Sequence, residues 1–418
     1  MPEKDTKFSA QGGPASGWDV AIIGGGPAGI MSAIQSAANG FNVVLIEKNK
    51  QLGKKFLLTG NGRCNLTNAE LDLKKLVANY HNGEFLYRAF SPPAGGFGPK
   101  ETIKFFEDLG IKTKTEAGNR VFPENNSAEE ILEALKKYLE KNKVKIIYDS
   151  AAEGFELKNK KILKIILNNN KKITAKKYIL TTGGKSYAKS GSDGAGYKLA
   201  EKLGHSIIKP SPALTPIILK EDWVKKLQGI SLKNIKIFGE SGEILFTHFG
   251  ISGPVALNIS GKIGELLKKN EVKIFMDLFP ELNQQEILEN FQELLKKYLR
   301  QAIKNILTEF VPERFAEVLL EIIKIDKNKI ANNLSKSEKN IIVRALKGFE
   351  MTAEGVLGFD NAMATRGGIS LKEINHKTMQ SKLIDNLFFA GEIIDVDGKT
   401  GGFNLQMCWS TGHLASMQ

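Results

Sequence analysis

The sequence predicts an α/β fold: a Rossmann-like domain, discontinuous in the chain, with an inserted second domain of mixed β and α structure. Three observations predict it. A strand, a glycine turn, a helix and a second strand follow one another over residues 19–47. A last strand-like run, 387–390, leads into a second glycine-rich stretch, GEIIDVDGKTGGFNLQ. Between them, residues 206–345 carry no dinucleotide motif. A length of 418 residues fits two or three domains. The expected order is a disordered tail (1–17), a first part of the Rossmann-like domain (18–205), the insert (206–345) and its second part (346–418).

Residues 19–23 form a short apolar run that suits a buried parallel strand. Gly24, Gly26 and Gly29 then stand in G-x-G-x-x-G spacing. Pro27 sits at a first helical position, and Gly40 where a helix stops. Residues 42–46 form a second apolar strand ending on Glu47. The glycines permit a tight turn and close approach of a pyrophosphate, with Ala28 in the same turn. Gly29 lets helix and strand pack closely. The helix N-terminus offers N–H groups and partial positive charge to phosphate. Glu47 lies 18 residues after Gly29, placed to accept hydrogen bonds from a ribose. A lone glycine motif is weak evidence; strand, turn, helix, strand and acid in order predict dinucleotide binding.

The loop 48–68 is rich in glycine, asparagine and threonine, yet carries Phe56, Leu57 and Leu58, which argues for an ordered binding loop. Residues 127–141 read as an amphipathic helix with Ser127 as N-cap and Glu130 completing a capping box. A strand at 144–148, a Lys/Asn-rich meander to about 174 and a strand at 178–180 follow. SGSDGAG then opens a helix at about 195–203. Pro210, Pro212 and Pro216 mark a boundary. Within the insert, strands are expected at 214–219, 233–238, 243–247 and 272–277, and helices at 284–307 and 312–324. A final helix starts near Leu405.

Composition narrows the function. No apolar run reaches transmembrane length, and the first 17 residues lack the apolar core of a signal peptide. A cytoplasmic protein with no membrane partner is the expectation. The net charge is +13, with a pI near 9.3. The excess is lysine spread along the chain, without an arginine block or a basic stripe with interleaved aromatics, so no nucleic-acid partner is expected. Cys64 and Cys408 are the only cysteines, and they form no C-x-x-C. The five histidines show no metal spacing, so no metal is expected. Gly184-Lys185-Ser186 fails as a phosphate loop because Ile179 stands where a glycine is required. Ser186-Tyr187-Ala188-Lys189 matches S-x-x-K in isolation.

At this point the residues resemble a known group. The opening unit, Thr182-Gly183-Gly184 after a strand, and Ala390-Gly391-Glu392 after the last strand are similar to the flavoprotein superfamily that includes the fumarate reductase flavoprotein. Within it, GKKFLLTGNGRCNLTN (53–68), FTHFGISGPVALNIS (246–260) and residues 364–415 resemble the HI0933/YhiN-type (also called BaiN-type) oxidoreductases. The resemblance spans the chain from Trp18 to the end. Ser416 departs from it, standing where glycine is expected. The resemblance implies FAD, a Rossmann-like domain split around an insert, and loosely defined NAD(P)-linked oxidoreduction. For one branch it implies reduction of an activated C=C bond in a steroid-like acid.

The resemblance also implies site residues. Lys54, Lys55, Thr59, Gly60, Asn61, Gly62, Arg63, Cys64 and Asn65 would run along the cofactor, with Lys48 beside the adenosine. Thr182, Gly183, Gly184, Gly391 and Glu392 would approach it from other strands. Gly401, Gly402, Phe403, Asn404, Leu405 and Gln406 would lead into the last helix, whose N-terminus would face the flavin N1–C2=O edge. His248 and Arg63 are the catalytic candidates, for proton transfer and anion binding. A packed histidine and a structural arginine are the bland alternatives. Arg366 is a second possible anion clamp. Gly194-Ala195-Gly196 lacks a third glycine at Leu199, so NAD(P)H would bind transiently as electron donor. The favoured function is hydride transfer through flavin N5 to or from a small organic substrate. An FAD-dependent RNA-modifying enzyme and a non-catalytic flavin-binding protein are the alternatives. Oligomeric state is not legible.

Overall fold

The computed structural model describes residues 17–417. The expected tail falls almost wholly outside them. The chain divides into two units, one comprising residues up to Ser211 and from Met363, the other Pro212–Ala362.

The first unit is built on a five-stranded parallel sheet. Its strand order is Leu387–Phe389, Ala175–Leu180, Trp18–Ile23, Val43–Ile46, Lys145–Ile147. The apolar runs at 20–23 and 43–46 are buried throughout, as strands covered on both faces require. The helix Pro27–Ala38 starts with Pro27 at its first turn, and Gly40 follows its end at φ +83°. It packs on the final helix, Phe403–Ser416. Ser32 Oγ bridges the two, donating to Ala28 O and Gly412 O. A Cβ on Gly412 would stand 2.5 Å from Ala28 O, so glycine sets this spacing. The Lys/Asn-rich meander forms a separate three-stranded antiparallel sheet, Ala152–Lys158, Lys161–Leu167 and Lys172–Ile173.

The second unit holds a six-stranded antiparallel sheet with its own hydrophobic core. Its end strands, Ser231–Ile237 and Val272–Met276, meet where Lys236 and Asp277 exchange two backbone hydrogen bonds of 2.9 Å. The strand Phe349–Val356 lies inside this sheet, between Ile217–Leu219 and Val272–Met276. The unit therefore runs past the boundary expected at 345. Alternating burial of Phe349, Met351 and Ala353 binds that strand to the insert's core. Two helices not expected from the sequence, Pro254–Leu266 and Lys336–Lys347, belong here. The single helix expected over 284–307 is two, Gln284–Lys297 and Ile303–Leu307. Among the described residues, no helix is long and apolar enough to cross a membrane.

Candidate functional site

The C-terminal ends of the parallel strands open onto one pocket within the first unit. It is lined by the 23–28 turn, 46–49, 53–56, 150–152, 181–183, 190–193, Gly391, Glu392 and Cys408, among others. Such crevices at strand C-termini are where open α/β sheets bind ligands.

The glycine turn divides its labour. Gly24 takes φ +108°. A Cβ on Gly29 would stand 1.9 Å from Gly24 O and 2.7 Å from Thr181 Oγ1, so Gly29 permits the helix to meet the strand. A Cβ on Gly26 would meet nothing within 4 Å, although Gly26 lines the pocket. That open space lies at the N-cap of Pro27–Ala38, where no side chain caps the helix. A phosphate fits there, satisfied by free amides and the helix dipole.

Glu47 is buried at the end of the second strand. Its Oε2 accepts from Gly25 N at 2.7 Å, and its Oε1 from Asn49 N at 2.8 Å and Asn49 Nδ2 at 2.7 Å. The carboxylate is held in place, with acceptor capacity left for a ribose hydroxyl. Lys48 pairs with Asp193 at 2.8 Å, Asn49 Nδ2 donates to Ser190 O at 3.2 Å, and Lys54 Nζ donates to Lys189 O at 2.8 Å. These links fasten the 189–193 loop along the pocket wall. Thr182 and Ser192 line the pocket, and their hydroxyl oxygens are buried with no hydrogen-bond partner among the described residues. Buried hydroxyls are normally hydrogen-bonded. Two such orphans on residues of one pocket fit a polar ligand.

At the other end, Lys55 Nζ donates to Ser186 Oγ at 2.6 Å and to Glu392 Oε2 at 2.7 Å. Glu392 Oε1 also accepts from Thr365 N at 2.8 Å and Ser186 Oγ at 3.1 Å. Gly184 backs this network, since its Cβ would strike Thr365 Oγ1 at 2.4 Å. Gly391 takes φ +78° beside Ala28.

Other expected residues are also tied into the surrounding chain. Thr59 Oγ1 donates to Phe56 O at 2.6 Å, and Gly60, Asn61, Gly62 and Cys64 all have positive φ. Residues 59–65 stand outside the pocket lining. Arg63 is held by Glu116 and by Asn126 Oδ1, and its guanidinium lies 4.1 Å over the Phe122 ring. Burial pushes the Cys64 and Cys408 thiols up to about 12, which keeps both as neutral thiols. Asn65, with its amide oriented to suit its neighbours, donates to Val121 O and Thr67 O and accepts from Gly402 N. Gly401 has φ +117°, and Gly402 has φ +97° with no room for a Cβ against Thr67. Asn404 closes a turn through Gly398. Gln406 is buried against Thr67, Phe97 O and Ser410. Phe403 packs edge-on to Tyr80, and Leu405 is buried. Arg366 forks onto Asp397, with bonds of 2.9 and 3.0 Å, so its charge is already matched.

His248 belongs to the second unit. It is exposed in the turn between Glu240–Phe246 and Gly250–Ser252, its ring edge-on to Phe249 at 4.9 Å. It is therefore not the packed, hydrogen-bonded histidine that was the bland alternative. Sequence reasoning missed Asn49, Ser190, Ser192 and Asp193. The signal was SGSDGAG, read only as a helix opening. Among the described residues, no cluster of three His, Cys, Asp or Glu side chains could hold a metal.

Comparison with known proteins adds four similarities. A family model, the HI0933-like protein Rossmann domain, matches residues 18–418. The 3-dehydro-bile acid delta(4,6)-reductase of Clostridium scindens is 34% identical over 409 residues, 95% of this chain and 97% of that one. A ribosomal RNA dihydrouridine synthase of Haemophilus influenzae is 30% identical over 415 residues, again 95% and 97%. The open conformation of a flavocytochrome c3 fumarate reductase superposes with a TM-score of 0.52 at 17% identity, covering 96% of this chain and 77% of that one. At that identity it shows the fold alone.

Proposed function

The chain belongs to the HI0933-like family of FAD-dependent oxidoreductases, and from that premise we propose that it reduces a C=C bond activated by a conjugated carbonyl. The observation that carries the reading is the pocket itself. Open space at Gly26, an uncapped helix N-terminus, a pinned Glu47 and two orphaned hydroxyls fit the pyrophosphate and ribose of an adenine dinucleotide. Bound FAD supplies hydride transfer at flavin N5. The chain's own residues hold and orient it. The N–H groups of Gly26 and Ala28, on either side of Pro27, take the pyrophosphate, Glu47 a ribose, and Thr182 and Ser192 further polar atoms. Lys55 and Glu392 fix the strand ends beside it.

Reduction of C=C also needs a proton. His248 is the proposed donor, because it is exposed and no hydrogen bond or ion pair ties it down among the described residues. Arg63 is a weaker proposal, being already held by Glu116 and Asn126. NAD(P)H is the proposed electron donor, acting in the cytoplasm. A small enone-type substrate follows from the reductase of Clostridium scindens. A second reading shares the chemistry: the uracil C5=C6 bond is conjugated to a carbonyl, and a relative 30% identical is named for making dihydrouridine in ribosomal RNA. The basic charge of the chain favours keeping it.

The test is anaerobic reduction of the purified protein by NADH and NADPH. Reoxidation is then followed with steroid-like enones, quinones, oxygen and uridine-containing RNA. Enone-dependent or RNA-dependent reoxidation supports one reading or the other. Reoxidation by oxygen alone overturns both.

A further inference from the structure

The surplus charge is not spread evenly. Residues 212–362 carry 21 Lys and Arg against 20 Asp and Glu, close to neutral. Residues 141–177 carry 11 lysines against three acidic residues, +8 of the chain's +13. This corrects the expectation of dispersed lysines. The segment is the edge strand Lys145–Ile147 and the three-stranded sheet over 152–173.

The sheet displays this charge rather than cancelling it. Glu156 takes Lys172 at 2.5 Å and Lys164 at 4.0 Å, and Asp19 takes Lys176 at 2.8 Å. Lys141, Lys143, Lys145, Lys158, Lys161 and Lys171 are exposed, with no ion pair among the described residues. At the hairpin tip Lys158 stands directly opposite Lys161, with Lys160 in the turn between them at φ +58°. Like charges directly opposite across strands destabilise a hairpin. Asp385 meets Lys160 through backbone, its N–H donating to Lys160 O at 2.9 Å. The tip therefore holds three cations together at a cost to its own stability. A bound polyanion offsets that cost.

Placement supports the same conclusion. Ala151 and Ala152 line the pocket, and the strand Ala152–Lys158 runs from them to the lysine tip. At 3.3 Å per residue that distance is about 20 Å, which spans several nucleotides. Asn168, Asn169 and Asn170 at the other turn, and Asn159 at the tip, add groups that can hydrogen-bond phosphate and sugar.

We propose that the basic sheet over residues 152–173, with Lys145 beside it, is a docking surface for the phosphate backbone of a structured RNA. The inference rests on the second reading above, in which the substrate is a uracil in RNA. A membrane of anionic lipid is disfavoured, because the face presents a pleated sheet and asparagine-rich turns rather than an amphipathic helix.

The test uses the FAD-loaded full chain and protein-free bacterial ribosomal RNA at graded salt. Lys158→Gln/Lys160→Asn/Lys161→Gln removes the tip charges. Lys268→Gln/Lys269→Gln removes two exposed lysines from the second unit as a control. The parent should bind with a steep dependence on log salt, and the tip variant should lose about one unit of slope per phosphate-contacting lysine. The control should match the parent. Flavin content, thermal unfolding and reoxidation of the reduced flavin by uridine-containing RNA are recorded on the same samples, so loss of the uracil-reducing chemistry is seen separately from loss of docking. Equal binding by parent and tip variant, equal weakening by the control, or capture by phosphatidylglycerol vesicles but not RNA would overturn the proposal.

Discussion

Glu47 shows what a single residue holds. Three chain N–H groups already converge on its carboxylate, from Gly25 and twice from Asn49. Glu47→Ala removes the ribose acceptor and frees the turn beside it. Charge-assisted bonds contribute about 1.5–3 kcal/mol each, or about one to two decades in affinity. The dissociation constant of apo protein for FAD, titrated by flavin fluorescence, should rise by at least a decade, and less in Glu47→Gln. An unchanged constant would mean that other groups hold the ribose. Gly26 makes the complementary case. Its Cβ direction is empty, so Gly26→Val should fold normally yet fill the phosphate space and yield colourless protein. Full flavin retention there would contradict the site. Cys64 carries no such burden. Its thiol is buried and neutral, so Cys64→Ser should keep both FAD and reducibility by whichever donor serves the parent.

At the scale of elements, the start of the final helix is doubly constrained, by backbone conformation and by space. Gly402 has φ +97°, and a Cβ there would stand 2.3 Å from the Thr67 carbonyl carbon and oxygen. Gly402→Ala should destabilise the protein by about 2 kcal/mol or more, measured by urea unfolding. Ser127→Ala, at the cap of Ala128–Lys141, should cost only about 1 kcal/mol. A Gly402→Ala loss no larger than the cap loss would show that the Thr67 strand yields. The opening strand, turn and helix were legible because each residue there answers a local demand. The capping box was half legible: Ser127 caps Glu130 N, but the Glu130 side chain turns to Asn125. The helix Pro254–Leu266 was missed although Gly253-Pro254 announces it, because its apolar run and internal glycines read equally well as strand. The loop 48–68 was legible as ordered, but not in its contacts. Asn65 and Arg63 bond to chain segments more than fifty residues away, which no local pattern reveals.

For the whole molecule, the consequential fact is that two hydrophobic cores form separately. One gathers residues from Val20 to Ala415, skipping the insert; the other lies wholly between Ile217 and Ala353. The split was legible from the two glycine-rich ends. The insert's far boundary was not, because strand Phe349–Val356 declares its sheet only through partners distant in sequence. Separate cores favour separate unfolding transitions. The pocket belongs to the first unit, so FAD should stabilise that unit by about 2.7 kcal/mol at a hundredfold excess over its dissociation constant. Calorimetry should show one transition rising with FAD and one staying still. Acid should select the same unit. Burial lowers the pKa of His205 and His413, both in the first unit. Their imidazoles are neutral when folded and bind protons once unfolded, so the unfolded state gains protons as pH falls through about 6.5. Stability therefore falls between about pH 7 and 5, before the carboxylates held low by ion pairs, such as Glu116 and Glu338, begin to protonate. The FAD-sensitive transition should move down over that window while the other holds. A single transition that responds to FAD and pH as one would show that the two cores unfold together.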